Sequence, residues 1–234
     1  MGSDNQYWLK KRSSLKRKNS LNKLYQNSIL IVCEGEKTEP NYFKSFPVSN
    51  IKVKTIGAGR NTTSLVDYAV CTWKDFASEG KFFEKLWCVF DRDSFPIEDY
   101  KKTFIDVSIY QNRLNKRFKK ITDQQIKIKI AYSNEAFEIW YLLHFDYIDS
   151  GLSRTRYKSM LSKRMGEQYL KNDPKIYQKL QRLAVDTNKS KGQLFAIRNS
   201  IKLRADISEN EPHLHNPSTN VDELVVELNQ YLKK

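Results

Sequence analysis

Four short apolar runs, each followed by a stretch with helical character, constrain this chain more than any other feature of its sequence. ILIVCE (29–34) is β-branched and apolar up to its last residue, the pattern of a strand covered on both faces. IKVKTIG (51–57) alternates like a second strand, KLWCVFD (85–91) is another compact apolar run, and IKIKIAYS (126–133) reads as a fourth. TEPNYFKSF (38–46) follows the first run; Thr38 can serve as an N-cap and Pro40 falls in the first turn, where its missing N–H does no harm. NTTSLVDYAVCTWKDFAS (61–78) sets Leu65, Ala69 and Trp73 at helical spacing, Glu98 to Lys119 can form a helix, and EAFEIWYLLHF (135–145) is a strongly apolar one. Strand–helix alternation of this kind predicts an α/β fold: a mostly parallel sheet flanked by helices. Ligands of such folds gather outside the carboxyl ends of the strands.

Charge divides the chain differently. The formal net charge is +14, but residues 24–150 hold eighteen basic against seventeen acidic residues. From Asn5 to Cys33 there are seven Lys or Arg and no acid; from Gly151 to Arg204 there are fourteen against Glu167, Asp173 and Asp186. The expected organisation is therefore a basic N-terminal arm (1–27) that orders on a partner, a near-neutral catalytic core (28–150), and a basic, mainly helical C-terminal lobe (151–234). The lobe shows no obvious strand, and Asn220 with Glu223 has capping-box spacing ahead of a last amphipathic helix. Basic patches interleaved with Tyr157, Tyr169, Tyr177 and Phe195 suit a nucleic-acid partner. Arg60, Arg154, Arg156, Lys158, Lys189 and Lys191 are the candidate backbone contacts.

No apolar run is long enough to span a bilayer and no export signal is visible, so a cytoplasmic protein without a membrane partner is expected. Cys33, Cys71 and Cys88 lie isolated in apolar surroundings and read as buried free thiols.

The chemistry concentrates where runs end in acids. In VFDRDSF, Asp91 and Asp93 stand at i and i+2, which in an extended segment project to one side. Glu34 ends the first run, so the topology brings three carboxylates to one edge. Unpaired anions that close repel one another, and a hard divalent cation between them reverses the sign. Oxygen-only donors suit Mg²⁺ or Mn²⁺ rather than zinc. Glu138, a carboxylate inside an apolar helix, needs a metal or a basic partner. Of the other glutamates near the first run, Glu36 reads as solvated and Glu39 as a helix-start acid that the helix dipole alone explains.

A strand ending in a Glu-Gly turn, followed about fifty residues later by a strand ending in Asp-x-Asp, resembles the Toprim signature of topoisomerases, primases and a group of nucleases. More narrowly, ILIVCEGEKTEPNYF, FDRDSF, SNEAFEIWYLLHF and the closing NPSTNV resemble the RloB family, Toprim proteins associated with restriction and phage-defence gene clusters. The resemblance runs from Ile29 to the last helix, with one departure at Glu135-Ala136, an additional acid. It implies Glu34, Asp91 and Asp93 as catalytic metal-binding residues and adds weight to Glu138.

Lys37, just past the Glu-Gly turn, can neutralise a phosphate, and GAGRNT (57–62) can form an anion-facing turn beside Arg60. No Walker A pattern follows it, so any ATPase in the system would be a separate partner. His144, His213 and His215 have no metal spacing, and His144 reads as a core histidine. The expected function is Mg²⁺- or Mn²⁺-dependent hydrolysis of DNA or RNA, tRNA included, in phage defence. The alternative is a non-catalytic nucleic-acid-binding subunit beside a partner ATPase.

Overall fold

A computed structural model of the chain describes residues 28–59, 62–92, 97–118, 125–188, 190–205 and 215–233. The expected arm (1–27), Arg60, Asp93, Lys189 and His213 lie outside the described residues. Four strands run parallel as the alternation predicts: β1 (Ser28–Cys33), β2 (Lys52–Gly57), β3 (Lys85–Asp91) and β4 (Lys127–Asn134). A two-residue strand, β5 (Ser218–Thr219), pairs antiparallel with β4, and the sheet order is β2-β1-β3-β4-β5. The helices are α1 (Thr38–Lys44), α2 (Thr62–Ser78), α3 (Ile97–Phe118), α4 (Glu138–Leu142), α5 (Arg154–Met165), α6 (Ile176–Thr187), α7 (Gln193–Arg204) and α8 (Val221–Asn229).

The period-2 geometry of the strands separates two cores. Ile29, Ile31 and Cys33 of β1, with Trp87 and Val89 of β3, face one side and meet Tyr42 and Phe43 of α1 and the whole apolar run around α4. Leu30 and Val32, with Leu86, Cys88 and Phe90, face the other side and meet Leu65, Ala69 and Trp73 of α2. At about 1.5–3 kcal/mol per fully buried aliphatic or Phe side chain, these two layers supply most of the drive to fold. The C-terminal segment joins the first layer: Tyr157, Leu161, Ile176, Leu180, Val221 and Leu224 all pack there, so it shares its core with the sheet.

Because β2 and β3 flank β1 on opposite sides, the chain's winding direction reverses at β1. The crevice between the carboxyl ends of β1 and β3 is the topological switch point of this sheet. Glu34 follows β1 directly and Asp91 ends β3.

Several local readings change. Lys37, not Thr38, holds the N-cap position of α1; Thr38 is the first helical residue and its hydroxyl donates to Lys171 O at 3.2 Å. The apolar run 135–145 forms only a five-residue helix, flanked by tighter turns such as Ile139 N–H to Ala136 O and His144 N–H to Tyr141 O. Asn220 does not close a capping box. Its side chain accepts from Tyr132 N at 2.7 Å and donates to Ile130 O at 3.0 Å, extending the ladder beyond β5. Cys33 and Cys88 are buried, whereas Cys71 lies exposed on the outer face of α2, where the helix turns away from its apolar stripe. His144 is fully buried and shares a bond with Trp140 O at 2.9 Å, as a core histidine does. Among the described residues no helix is long and apolar enough to cross a membrane.

Candidate functional site

The ladder between β1 and β3 continues one residue past β1: Glu34 N–H donates to Val89 O at 2.8 Å. This fixes the Glu34 backbone, and its side chain turns back to accept Asp91 N–H on Oε2 at 3.1 Å. The two sequence-predicted acids are thus tied together across the switch point. Gly35 then lets the chain reverse. A Cβ there would collide with the Glu39 carboxylate, so a larger residue would have to displace that buried acid. Gly57, ending β2, is held more strictly, since a Cβ would sit 2.6 Å from the Glu36 carbonyl oxygen, which is backbone.

Glu39 is the residue that sequence reasoning missed. Its position in the first turn of α1 agrees with a dipole-stabilised surface acid, yet it is only 4% exposed and its Oε2 has no hydrogen-bond partner. The available signal was periodicity: Tyr42 and Phe43 follow at i+3 and i+4, so Glu39 belongs to the buried stripe of its helix. Burial, reinforced by the charge of Glu138, raises the Glu39 carboxyl above its usual range, against the pull of backbone N–H groups and Lys171.

Glu138 opens α4 and is also 4% exposed; Tyr169 donates to its Oε1 at 3.3 Å. Burial and then the Glu138 charge push the Tyr169 hydroxyl upward, keeping it a donor. Burial first, then Glu39 and Glu138, hold the Asp91 carboxyl well above the ordinary carboxylate range, and Arg154 opposes them. Arg154, the first residue of α5, donates from Nη2 to Asp91 Oδ2 at 3.0 Å.

Glu34, Glu39, Asp91, Glu138 and Arg154 line one cavity of about 440 Å³. Glu34, Glu36, Glu39, Asp91 and Glu138 supply five carboxylates, against the cations Lys37, Arg154 and Lys171. In a chain of net charge +14 the pocket is locally acidic. Such an arrangement is costly for bare anions and favourable around a cation.

Of the sequence-predicted residues, Glu34, Asp91, Glu138, Lys37 and Arg154 meet in this cavity. Arg156 and Lys158 lie exposed on α5 and outside its lining, and Lys191 is engaged with Asp146 at 3.1 Å. Lys171 and Asn172, from the segment between α5 and α6, line it without having been expected.

The donor set fits a hard divalent ion in kind: every acid offers oxygen, and Glu39 holds a buried oxygen without a donor. It is not a finished cage. Among the described residues no three His, Cys, Asp or Glu side chains form a ready ligand set. The geometry says why, since Glu34 accepts from the Asp91 backbone and Asp91 accepts from Arg154.

No curated protein and no solved structure matches this chain. A family model, that of the RloB-like proteins, matches residues 29–228. That span takes in β1, the acidic crevice and every element through most of α8, and the chain belongs to the RloB-like family.

Proposed function

We propose that this protein is a Mg²⁺- or Mn²⁺-dependent phosphodiesterase of Toprim type that cleaves DNA or RNA. The observation that carries this reading is the meeting of Glu34, Glu39, Asp91 and Glu138 at the switch point of the sheet, with one buried carboxylate oxygen lacking a donor. A divalent ion held by Glu34, Asp91 and Glu138, with Asp93 as a further ligand, would supply Lewis-acid activation of the scissile phosphate and of water. Glu39 Oε2 is suited to accept the proton of the attacking water, because its raised pKa brings it nearer to neutral pH than an ordinary carboxylate. Lys37 and Arg154 would hold the charge that gathers on the phosphate oxygens. The water oxygen bonds to phosphorus, one P–O ester bond breaks, and the departing oxygen takes a proton. A phosphomonoester and a free hydroxyl result. The basic C-terminal segment would bind the rest of the strand, in a cytoplasmic defence role beside a partner ATPase.

Cleavage of labelled DNA and RNA with Mg²⁺, Mn²⁺ or EDTA, by the parent and by Asp91→Asn, tests this. Activity that needs the ion and is lost in Asp91→Asn is the expected result. Cleavage that survives either EDTA or the substitution would sink it. The Arg154–Asp91 ion pair favours a second reading, in which a resident protein cation neutralises the acids and the chain binds nucleic acid without cutting it. Strand binding with no cleavage under any ion, with the ATPase present, would select that reading.

A further inference from the structure

The segment 166–175 is tied to α5, α1 and α6 along its length. Gly166 closes α5 in the left-handed conformation, and Tyr169 N–H then bonds Ser162 Oγ at 2.9 Å while its hydroxyl reaches Glu138. Beyond it, α1 and its C-cap residue Ser45 present three polar side chains along one face. Thr38 Oγ1 donates to Lys171 O at 3.2 Å and Asn41 Nδ2 to Asn172 O at 3.0 Å. The Ser45 hydroxyl lies between Asn41 O and Pro174 O, at 2.8 and 3.2 Å. Residues i, i+3 and i+7 of a helix share a face, so α1 reads the carbonyls of this segment as a staple. At the far end Asp173 accepts Lys175 N–H at 2.8 Å and pairs with Lys179 at 2.8 Å.

The staple leaves the Lys171 side chain exposed, lining the same cavity as Lys37. Other cations here are committed to the fold: Lys179 to Glu167 and Asp173, Arg164 and Lys191 to Asp146, Arg204 to Asp222. Among the described residues neither Lys171 nor Lys37 has a carboxylate within ion-pair distance, although five acids share their cavity. The Lys171 main chain is held by a hydrogen bond, and its ammonium, which pulls on Glu39 without pairing with a carboxylate, is placed to receive an anion from outside.

We propose that Lys171 binds a backbone phosphate of the nucleic-acid strand next to the one over the carboxylates. This rests on the reading of the pocket as a nucleic-acid site, but not on hydrolysis. Lys171 is a positioning residue: it fixes the register of the strand, Thr38 holds its carbonyl, and Asn41 and Ser45 hold the residues that follow.

The test is fluorescence-polarisation binding of short labelled single-stranded DNA and RNA to the full chain in EDTA, across a salt series. Lys171→Ala should bind both strands several-fold more weakly and lower the log–log salt slope by about 0.7, the loss of one phosphate contact. Lys171→Arg should restore both. Lys81→Ala, removing a surface lysine paired with Glu79 at 2.6 Å, should change neither. Equal affinity and slope for Lys171→Ala and the parent would overturn the assignment, as would a matching loss in Lys81→Ala. Binding in EDTA does not depend on hydrolysis, so a chain that binds through Lys171 but fails to cleave the same strands once Mg²⁺ or Mn²⁺ is added overturns the enzyme reading alone.

Discussion

Arg154 at the head of α5 bonds Asp91 at the end of β3, Nη2 to Oδ2 at 3.0 Å, so the C-terminal segment already carries a cation onto the acid expected to hold a metal. The pair sets a permanent positive charge among five carboxylates, and it sets arginine and ion in competition for one oxygen.

Removing that competitor should strengthen metal binding. Two unit charges 4 Å apart repel by about 4 kcal/mol at an effective dielectric of 20, and the 36% exposure of the Arg154 side chain trims this through screening. Arg154→Met should therefore bind Mn²⁺ about tenfold more tightly, roughly 1.4 kcal/mol, in a calorimetric titration. Weaker binding would show that Arg154 supports the site rather than competing in it.

Glu39 offers a trade of stability against function. It is buried, lacks a donor on Oε2 and faces Glu138, so Glu39→Gln relieves both desolvation and repulsion. In EDTA the variant should resist urea better than the parent by about 1–3 kcal/mol, and with Mn²⁺ it should lose cleavage. Glu36→Gln, at an exposed position, should change stability little. A destabilised Glu39→Gln would contradict the strain assigned to this carboxyl.

His144 should shape the acid limb of stability. Burial lowers its pKa from 6.5 to about 4 in the folded chain, so between those values the unfolded chain binds the extra proton. Stability from this group is complete above pH 6.5 and falls as pH drops toward 4, by roughly 3 kcal/mol in total. Denaturation of the parent and His144→Leu at pH 7 and pH 4.5 reads the difference. Parallel losses in both proteins would remove His144 from the account.

The antiparallel edge depends on a buried ion pair. Arg204 meets Asp222 in a two-point contact at 2.5 and 2.9 Å, Ser200 adds 2.7 Å to the same carboxylate, and Arg204 also reaches Thr219 O in β5. Arg204→Leu leaves Asp222, 3% exposed, without its cation and should cost about 3–5 kcal/mol. The Arg204→Leu/Asp222→Leu pair should recover part of the loss in the same thermal melts; no recovery would show that Arg204 acts through other contacts.

How much of this was legible depends on whether the signal was local. β1 to β4 follow from apolar runs, and Glu34 and Asp91 stood out as acids ending buried strands. Glu39 did not, because an acid in a first helical turn already has a local explanation, and only the helical stripe through Tyr42 and Phe43 argues otherwise. The run around α4 gave its burial but not its length, since a segment covered on every side shows no periodicity to mark where a helix stops. Lys171 was not legible at all. Its place in the cavity lining comes from a hydrogen bond to α1, across 133 residues of sequence, made by its own backbone carbonyl.

The most direct measurement of the central claim compares two glutamates two residues apart. With Mn²⁺ and a labelled single strand, Glu34→Ala should lose cleavage by at least about a hundredfold, the scale of a catalytic group. Glu36→Ala, exposed in the same cavity lining, should stay near the parental rate. Equal losses in the two variants, or none in Glu34→Ala, would contradict a hydrolytic centre built on the end of β1.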